Sequence, residues 1–290
     1  MESLEPLESL EKEFESLKLN EKIQELEDVI DEIDFAGTKS DQCNHLPWIS
    51  LEDSGSQVYL VRFNSTRKLP VFSVYQHNSK SDEKNLGRLN TFEEYPCDNL
   101  KGKQLGSKDY TRSGWTRGHL SPQMAFRYSS AARAASNYFI NIAPQDMYAN
   151  TAPWSQLEQK IHAFLKGKTA IIMTGTCEKF SIKTSKKLPI PDCFWKVVCT
   201  TSSSGITAAA FYHKNIESTT EHEKSQRSGE VFQVRDVNFV KKLIGNHDWT
   251  SLWSEGDKYF APQHKANLMI QDCKVALDSK GKSFWNSVIN

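Results

Sequence analysis

The sequence has no CxxC pair, no long hydrophobic run and no net charge, its 36 Lys and Arg matching 36 Asp and Glu. Six cysteines (Cys43, Cys97, Cys177, Cys193, Cys199, Cys273) are scattered along the chain, which argues against a zinc site of ordinary ligand spacing. No apolar stretch approaches the ~18 residues of a spanning helix, so an integral helical membrane protein is excluded. The N-terminal stretch lacks the basic and apolar regions of a secretory signal and is too acidic for a mitochondrial transit peptide. Buried free thiols in an intracellular protein are therefore expected; three disulfides in a secreted or lumenal one are the alternative. Taken at face value, zero net charge also speaks against a nucleic-acid binder.

The charges are not evenly spread. Residues 1–34 carry thirteen acidic side chains against Lys12, Lys18 and Lys22, a net of −10, and residues 35–290 carry 33 basic and 23 acidic ones, a net of +10. An acidic leader thus precedes a basic body, and a basic body of this size suits a polyanionic partner. In the leader, Leu7, Leu10, Phe14 and Leu17, then Leu19, Ile23, Leu26, Ile30 and Ile33, fall at helical spacing. Two amphipathic helical runs are expected. They serve either as an arm or short coiled coil for assembly, or as an acidic cover competing with substrate for a basic cleft.

The body reads as one α+β domain without internal repeats, residues 35–290, with 36–56 as a polar connection. Alternating stretches Gln57–Phe63 and Pro70–Gln76 flank a turn and predict a hairpin. Residues 77–114 read as a long irregular segment, of the kind that tends to be functional. Trp115–Ser121 and Tyr138–Ile142 read as strands, with a small-residue helix around Arg127–Ala135 between them. Pro153 at a first helical position, with Leu157, Ile161, Phe164 and Leu165 on one face, predicts a helix ended by Gly167. Thr169–Thr174, Phe194–Thr200 and Ile206–Tyr212 read as strands, Ser218–Gly229 as a polar loop and Val237–Ile244 as a helix capped by Asp236.

The chemistry concentrates in Trp115-Thr116-Arg117-Gly118-His119, then Asn141-Ile142-Ala143-Pro144-Gln145, then Asn150 through Glu158. A histidine beside an arginine at a strand end suits a general base near neutral pH. The planar guanidinium suits phosphate. An Asn amide oxygen is a hard ligand of the kind Mg²⁺ accepts when it keeps most of its waters. A strand, a connection and a helix would bring His119 and Asn150 together.

The ordered set resembles the DNA/RNA non-specific endonucleases of the ββα-metal (His-Me finger) type. Their signature is Asp-Arg-Gly-His, then Asn-x-x-Pro-Gln, then Asn, Trp and Glu. The chain matches at Arg117, Gly118, His119, Asn141, Pro144, Gln145, Asn150, Trp154 and Glu158, and the likeness runs from about residue 43 to about residue 250. The resemblance implies a central, mostly antiparallel sheet with flanking helices. It also implies a Mg²⁺-dependent enzyme, with Mn²⁺ as a substitute, that hydrolyses DNA and RNA without sequence preference to 5′-phosphate ends. His119 would be the general base and Asn150 the metal ligand. An upstream arginine, Arg88 with Arg112 as competitor, would hold the scissile phosphate, and Arg117 would be catalytic or structural. Glu158 lies eight residues past Asn150, ~12 Å along a helix, and would accept from a water on the metal. Asn141 would support substrate and site through hydrogen bonds or simply end a strand, and Trp154 would belong to the core. A homodimer, through the leader or a family-type interface, is a further expectation. The departure is Thr116 where the signature has Asp. It leaves a catalytically weak or dead nucleic-acid-binding module as the alternative.

Overall fold

Apolar alternation builds the central sheet. In Trp48-Ile49-Ser50-Leu51 the buried pair Ile49 and Leu51 gives a first strand, β1 (Trp48–Asp53), where the sequence predicts a polar connection over 36–56. It is an edge strand, and its interspersed polar residues are what hid it. The computed structural model describes residues 48–53, 56–77, 87–183, 187–202, 205–217, 232–234 and 237–245, with Leu252, Cys273 and Leu277. The acidic leader, the Ser218–Gly229 loop and Asp236 lie outside the described residues.

After β1 come β2 (Ser56–Asn64) and β3 (Leu69–Gln76), the expected hairpin, then a short helix α1 (Ser107–Tyr110) and β4 (Trp115–His119). A helix α2 (Ser130–Ala135) starts at Ser129, whose hydroxyl accepts from the Ala132 N–H. The segment expected as a strand over Tyr138–Ile142 is instead a 3-10 turn (Phe139–Asn141), and the strand begins one step later as β5 (Ile142–Asp146). Pro144 lies inside it, opposite Arg117; in a two-stranded ribbon both strands are edge strands, where proline is tolerated. There follow α3 (Met147–Thr151), α4 (Pro153–Leu165), β6 (Ala170–Thr176), β7 (Phe180–Lys183), β8 (Leu188–Pro191), β9 (Cys193–Ser202), β10 (Gly205–Lys214), β11 (Phe232–Val234) and α5 (Val237–Ile244).

Seven strands form one sheet in the order β1-β2-β3-β6-β9-β10-β11, every neighbouring pair antiparallel. The expected central antiparallel sheet with flanking helices is what the chain builds. Two-stranded ribbons β4–β5 and β7–β8 stand apart from it. The core on one face joins Phe72, Met173, Trp195 and Val197 to Val240 and Ile244 of α5 and to Leu252, Cys273 and Leu277. Gly175 is required here, since a Cβ would lie 2.6 Å from the Trp195 ring and 2.6 Å from the Val71 carbonyl oxygen. No described helix is long and apolar enough to cross a membrane.

The free-thiol expectation is corrected. Cys177–Cys193 and Cys199–Cys273 are disulfides, with Cα atoms 5.2 and 5.4 Å apart, while Cys97 is buried outside them and Cys43 is not among the described residues. Such bonds persist in oxidising surroundings. Sequence spacing could not pair them, because strand register brings the sulfurs together. Closing loops of 16 and 74 residues contributes about 3 and about 4 kcal/mol on the chain-entropy account. Non-reducing peptide mapping is expected to recover these two pairs. Loss of Cys199–Cys273 by paired Cys→Ser substitution should lower the thermal midpoint more than loss of Cys177–Cys193.

Candidate active site

The signature residues are carried on the β4–β5 ribbon and the helix that follows it. The ribbon pairs Trp115 with Asp146, Thr116 with Gln145, Gly118 with Ala143 and His119 with Ile142. Gly118 has no room for a side chain: a Cβ would lie 2.8 Å from Cβ of Gln145, whose side chain crosses it. Asp146 closes β5 and caps α3, its carboxylate accepting from the Ala149 N–H at 2.9 Å. An Asp at this position satisfies one of the unpaired N–H groups of the first turn. The Asp146 N–H in turn donates to Oδ1 of Asn215, just past β10, at 2.9 Å. Asn215 Nδ2 donates to the carbonyls of Pro144 at 2.9 Å and Pro191 at 2.8 Å. One buried amide thus ties the ribbon to the end of the sheet. Helix α3 ends at Thr151, capped by Ala152, and α4 starts with Pro153 at its first position, which places Asn150 in a short helix of its own, separate from the one that carries Glu158.

Asn150 is held from β4. Its Nδ2 donates to Oγ1 of Thr116 at 3.1 Å, and that hydroxyl donates to the Gln145 carbonyl at 2.9 Å. With Nδ2 engaged, the side chain keeps Oδ1 as a neutral oxygen donor. Among the described residues no group of three or more His, Cys, Asp or Glu could cage a metal. A single amide oxygen fits a hard ion that retains its waters, such as Mg²⁺, and does not fit a zinc cage of three or four nitrogen or sulfur ligands.

His119 lies three residues further along β4, roughly 10 Å of strand. Its Nε2 meets Oδ1 of Asn137 at 2.8 Å. Asn137 is buried, and its orientation is fixed because Nδ2 donates to the Thr91 carbonyl at 2.7 Å. Gln123 Nε2 donates to the same Oδ1 at 2.7 Å and to the Leu89 carbonyl at 2.8 Å, and Gln123 Oε1 accepts from the Leu89 N–H at 3.0 Å. An amide oxygen carries no hydrogen, so Nε2 of His119 must donate. In the neutral ring the basic lone pair is then on Nδ1.

Phe92 stacks between two signature side chains, 5.5 Å from the His119 ring and 4.2 Å from the Arg117 guanidinium. Arg117 therefore makes a cation–π contact on this ring. Burial lowers the His119 pKa from the usual 6.5 to about 4, against the Asn137 hydrogen bond, which raises it; the charges of Arg88 and Arg117 lower it further. Arg88, exposed on the segment that Asn137 and Gln123 pin down, is thus within electrostatic range of His119. Arg112 is exposed, takes a positive φ of 56°, and is not among the charges acting on His119.

Glu158 and Asn141 each have partners from other parts of the chain. Glu158 is 3.3 Å from Nζ of Lys196, which is 1% exposed and donates to Thr174 Oγ1 at 2.6 Å. Burial raises the Glu158 pKa and lowers that of Lys196, each partly offset by the other's charge. This ion pair joins α4 to the sheet. Asn141 is fully buried, accepting from the Ser121 N–H and donating to the Ser121 and Ser136 carbonyls at 3.0, 2.9 and 2.8 Å. It braces the turn after His119 through these hydrogen bonds. Trp154 is 1% exposed, a core residue as expected. Asn137, Gln123, Phe92 and Lys196 escape a reading of the sequence, since each acts across elements and none belongs to the contiguous signature.

The DNA/RNA non-specific endonuclease family model matches residues 50–247. A 52-residue stretch is 42% identical to human mitochondrial nuclease EXOG, covering 18% of this chain and 14% of that protein. A nuclease of the cyanobacterium Nostoc is 28% identical over 97 residues, 33% of this chain and 35% of the relative. The matched stretches thus span about a seventh to a third of those relatives. A chain in the crystal structure of the EndoG/EndoGI complex shares the fold, with a TM-score of 0.51 at 17% identity over 72% of this chain and 91% of that one. With its signature on the β4–β5 ribbon and its match across residues 50–247, the chain belongs to the DNA/RNA non-specific endonuclease family.

Proposed function

We propose that the protein is a Mg²⁺-dependent endonuclease that hydrolyses the phosphodiester bonds of DNA and RNA without regard to sequence or sugar. The observation that carries this reading is a pair of side chains fixed at β4: His119 on that strand, held as the Nε2–H tautomer by Asn137, and Asn150 on α3, held from Thr116 with its oxygen left for a hard cation. Nδ1 of His119 takes the proton of the attacking water, the water oxygen bonds to phosphorus, and the P–O3′ bond breaks, the departing O3′ taking a proton from solvent. The products are a 3′-hydroxyl and a 5′-phosphate. Asn150 would hold the cation, which when bound would supply charge stabilisation for the transition state and the leaving oxygen. Arg88 holds the phosphate, and Arg117, stacked on Phe92, adds positive charge beside it. Lys and Arg on the basic body give sequence-independent affinity that weakens as salt rises. Plasmid DNA and RNA should both be degraded with Mg²⁺ and left intact with EDTA. Intact substrates in Mg²⁺, with a shifted band in a gel, would instead support the binding-only module, the reading that Thr116 in place of Asp favours.

The leader enters the same proposal through its charge. Residues 1–34 carry −10 against +10 on the remainder, so they compete with a polyanion wherever they approach the substrate's path. Deleting them is expected to raise cleavage at low salt, with the difference shrinking toward 0.5 M salt as screening shortens. An unchanged rate accompanied by loss of a dimer in sedimentation would assign the leader to assembly instead.

A further inference from the structure

Thr116 is the signature position at which this chain departs from the family, and its hydroxyl bridges two elements. It sits on β4 opposite Gln145 and faces α3. A hydroxyl has one hydrogen, here directed at the Gln145 carbonyl oxygen at 2.9 Å, an atom that can only accept. What remains on Oγ1 is lone pairs, and these can only receive. The Asn150 amide, 3.1 Å away, must then present its NH₂ to Thr116 and turn its carbonyl oxygen the other way. The reversed amide would set two acceptors against each other. Main-chain geometry of the β4–β5 ribbon thereby dictates which atom Asn150 offers.

We infer that Thr116 is a positioning residue for the divalent cation: it selects the amide orientation of Asn150 that offers Oδ1. This rests on Asn150 being the metal ligand. The link is neutral, so orientation comes without adding negative charge near the cation, and the hydroxyl rather than a carboxylate is what matters. Partners that orient a ligand from behind it typically change metal affinity by about 10–100-fold when lost.

The test compares wild type, Thr116→Val, Thr116→Ser and Asn150→Ala by Mn²⁺ binding, followed by loss of the free-ion electron paramagnetic resonance signal, without nucleic acid. Thr116→Val, which keeps the shape and loses the hydroxyl, should weaken Mn²⁺ binding about 10-fold or more. Thr116→Ser should stay within about threefold, since it retains the hydroxyl. In cleavage assays the Mg²⁺ concentration at half-maximal rate should rise for the valine variant, while the rate at saturating Mg²⁺ recovers. If Thr116→Val fails to fold, Thr116→Ala removes the same hydroxyl and carries the comparison. Wild-type affinity in the valine or alanine variant, with Asn150→Ala impaired, overturns the role of Thr116 alone. Wild-type affinity in Asn150→Ala overturns the metal-ligand reading on which it rests.

Discussion

Replacing His119 by alanine is expected to lower Mg²⁺-dependent cleavage of DNA and RNA by about 10²–10⁴-fold, equivalent to roughly 3–5 kcal/mol of barrier. The size follows from the geometry. Asn137 occupies Nε2 at 2.8 Å, so the ring has one basic nitrogen, and no other described histidine shares its hydrogen bonds. The same environment sets the pH dependence. A general base must be unprotonated, and burial holds this ring's pKa down at about 4 against the usual 6.5. The depressed value means that the neutral form persists as the medium acidifies through pH 6.5 and is lost only near pH 4. The logarithm of kcat/KM should therefore be flat from pH 7 to about 5 and fall below that. An acid limb at 6.5 would contradict the environment assigned to His119, and equal cleavage by wild type and His119→Ala would remove it from the mechanism altogether.

The second large effect is on stability. Lys196→Met is expected to lower the unfolding free energy by about 3–5 kcal/mol, the usual cost of stranding one member of a buried ion pair. Lys196 is 1% exposed and Glu158 15%, with 3.3 Å between them. Burial already raises the Glu158 pKa against the opposing lysine charge, so removal of the lysine raises it further. The sign with pH follows. A carboxyl whose folded pKa lies above its unfolded value is disfavoured as an anion in the fold. The destabilisation is then complete above the raised pKa and shrinks as the medium is acidified toward 4.5 and the group protonates. Thermal unfolding of Lys196→Met should accordingly lie furthest below wild type at pH 8 and draw closer at pH 5. Pairing it with Glu158→Gln should restore most of the loss, because neither charge is then left alone. A single variant that melts like wild type at pH 8 would show the pair to be solvated.

What the sequence discloses and what it hides divide along a physical line. Thr116, His119 and Asn150 are legible because the signature is nearly contiguous and its residue types match one chemistry. Strands β2, β3, β9 and β10 are legible because one or both faces are apolar at period two. Strand β1 is not, since the buried Ile49 and Leu51 alternate with the polar Ser50, Glu52 and Asp53 in a short segment. The start of β5 is displaced because Pro144 argues against a strand that a two-stranded ribbon nonetheless accepts. The partners that set the tautomer of His119 and the charge state of Glu158 come from Asn137 and Lys196. These sit 18 residues along the chain from His119 and on a different sheet strand from any signature residue. Only the packed structure brings them in. The same holds for the disulfides, which join strand β9 to segments that no spacing rule connects.

Strands β3 and β6 are immediate neighbours in the sheet, yet residues 77–169 separate them in sequence. The two ends of that excursion are joined directly, the His77 N–H donating to the Ala170 carbonyl at 2.8 Å. Arg88, His119, Asn137, Asn150 and Glu158 all lie within it. Beyond the join, its fastenings to the sheet include the Ser73–Ser121 hydroxyl contact, the Tyr59 hydroxyl donating to the Ala135 carbonyl, Lys196 under Glu158, Asn215 under Pro144 and Asp146, and the packing of Phe126 on Tyr59 and Tyr75 and of Trp154 on Phe194. The proposed reactive machinery is thus a cassette spliced into a hairpin whose ends already touch. A join of this kind lets its sequence diverge, or be exchanged with that of a relative, without altering the strand order of the sheet, provided its polar and apolar contacts with the sheet are carried along with it.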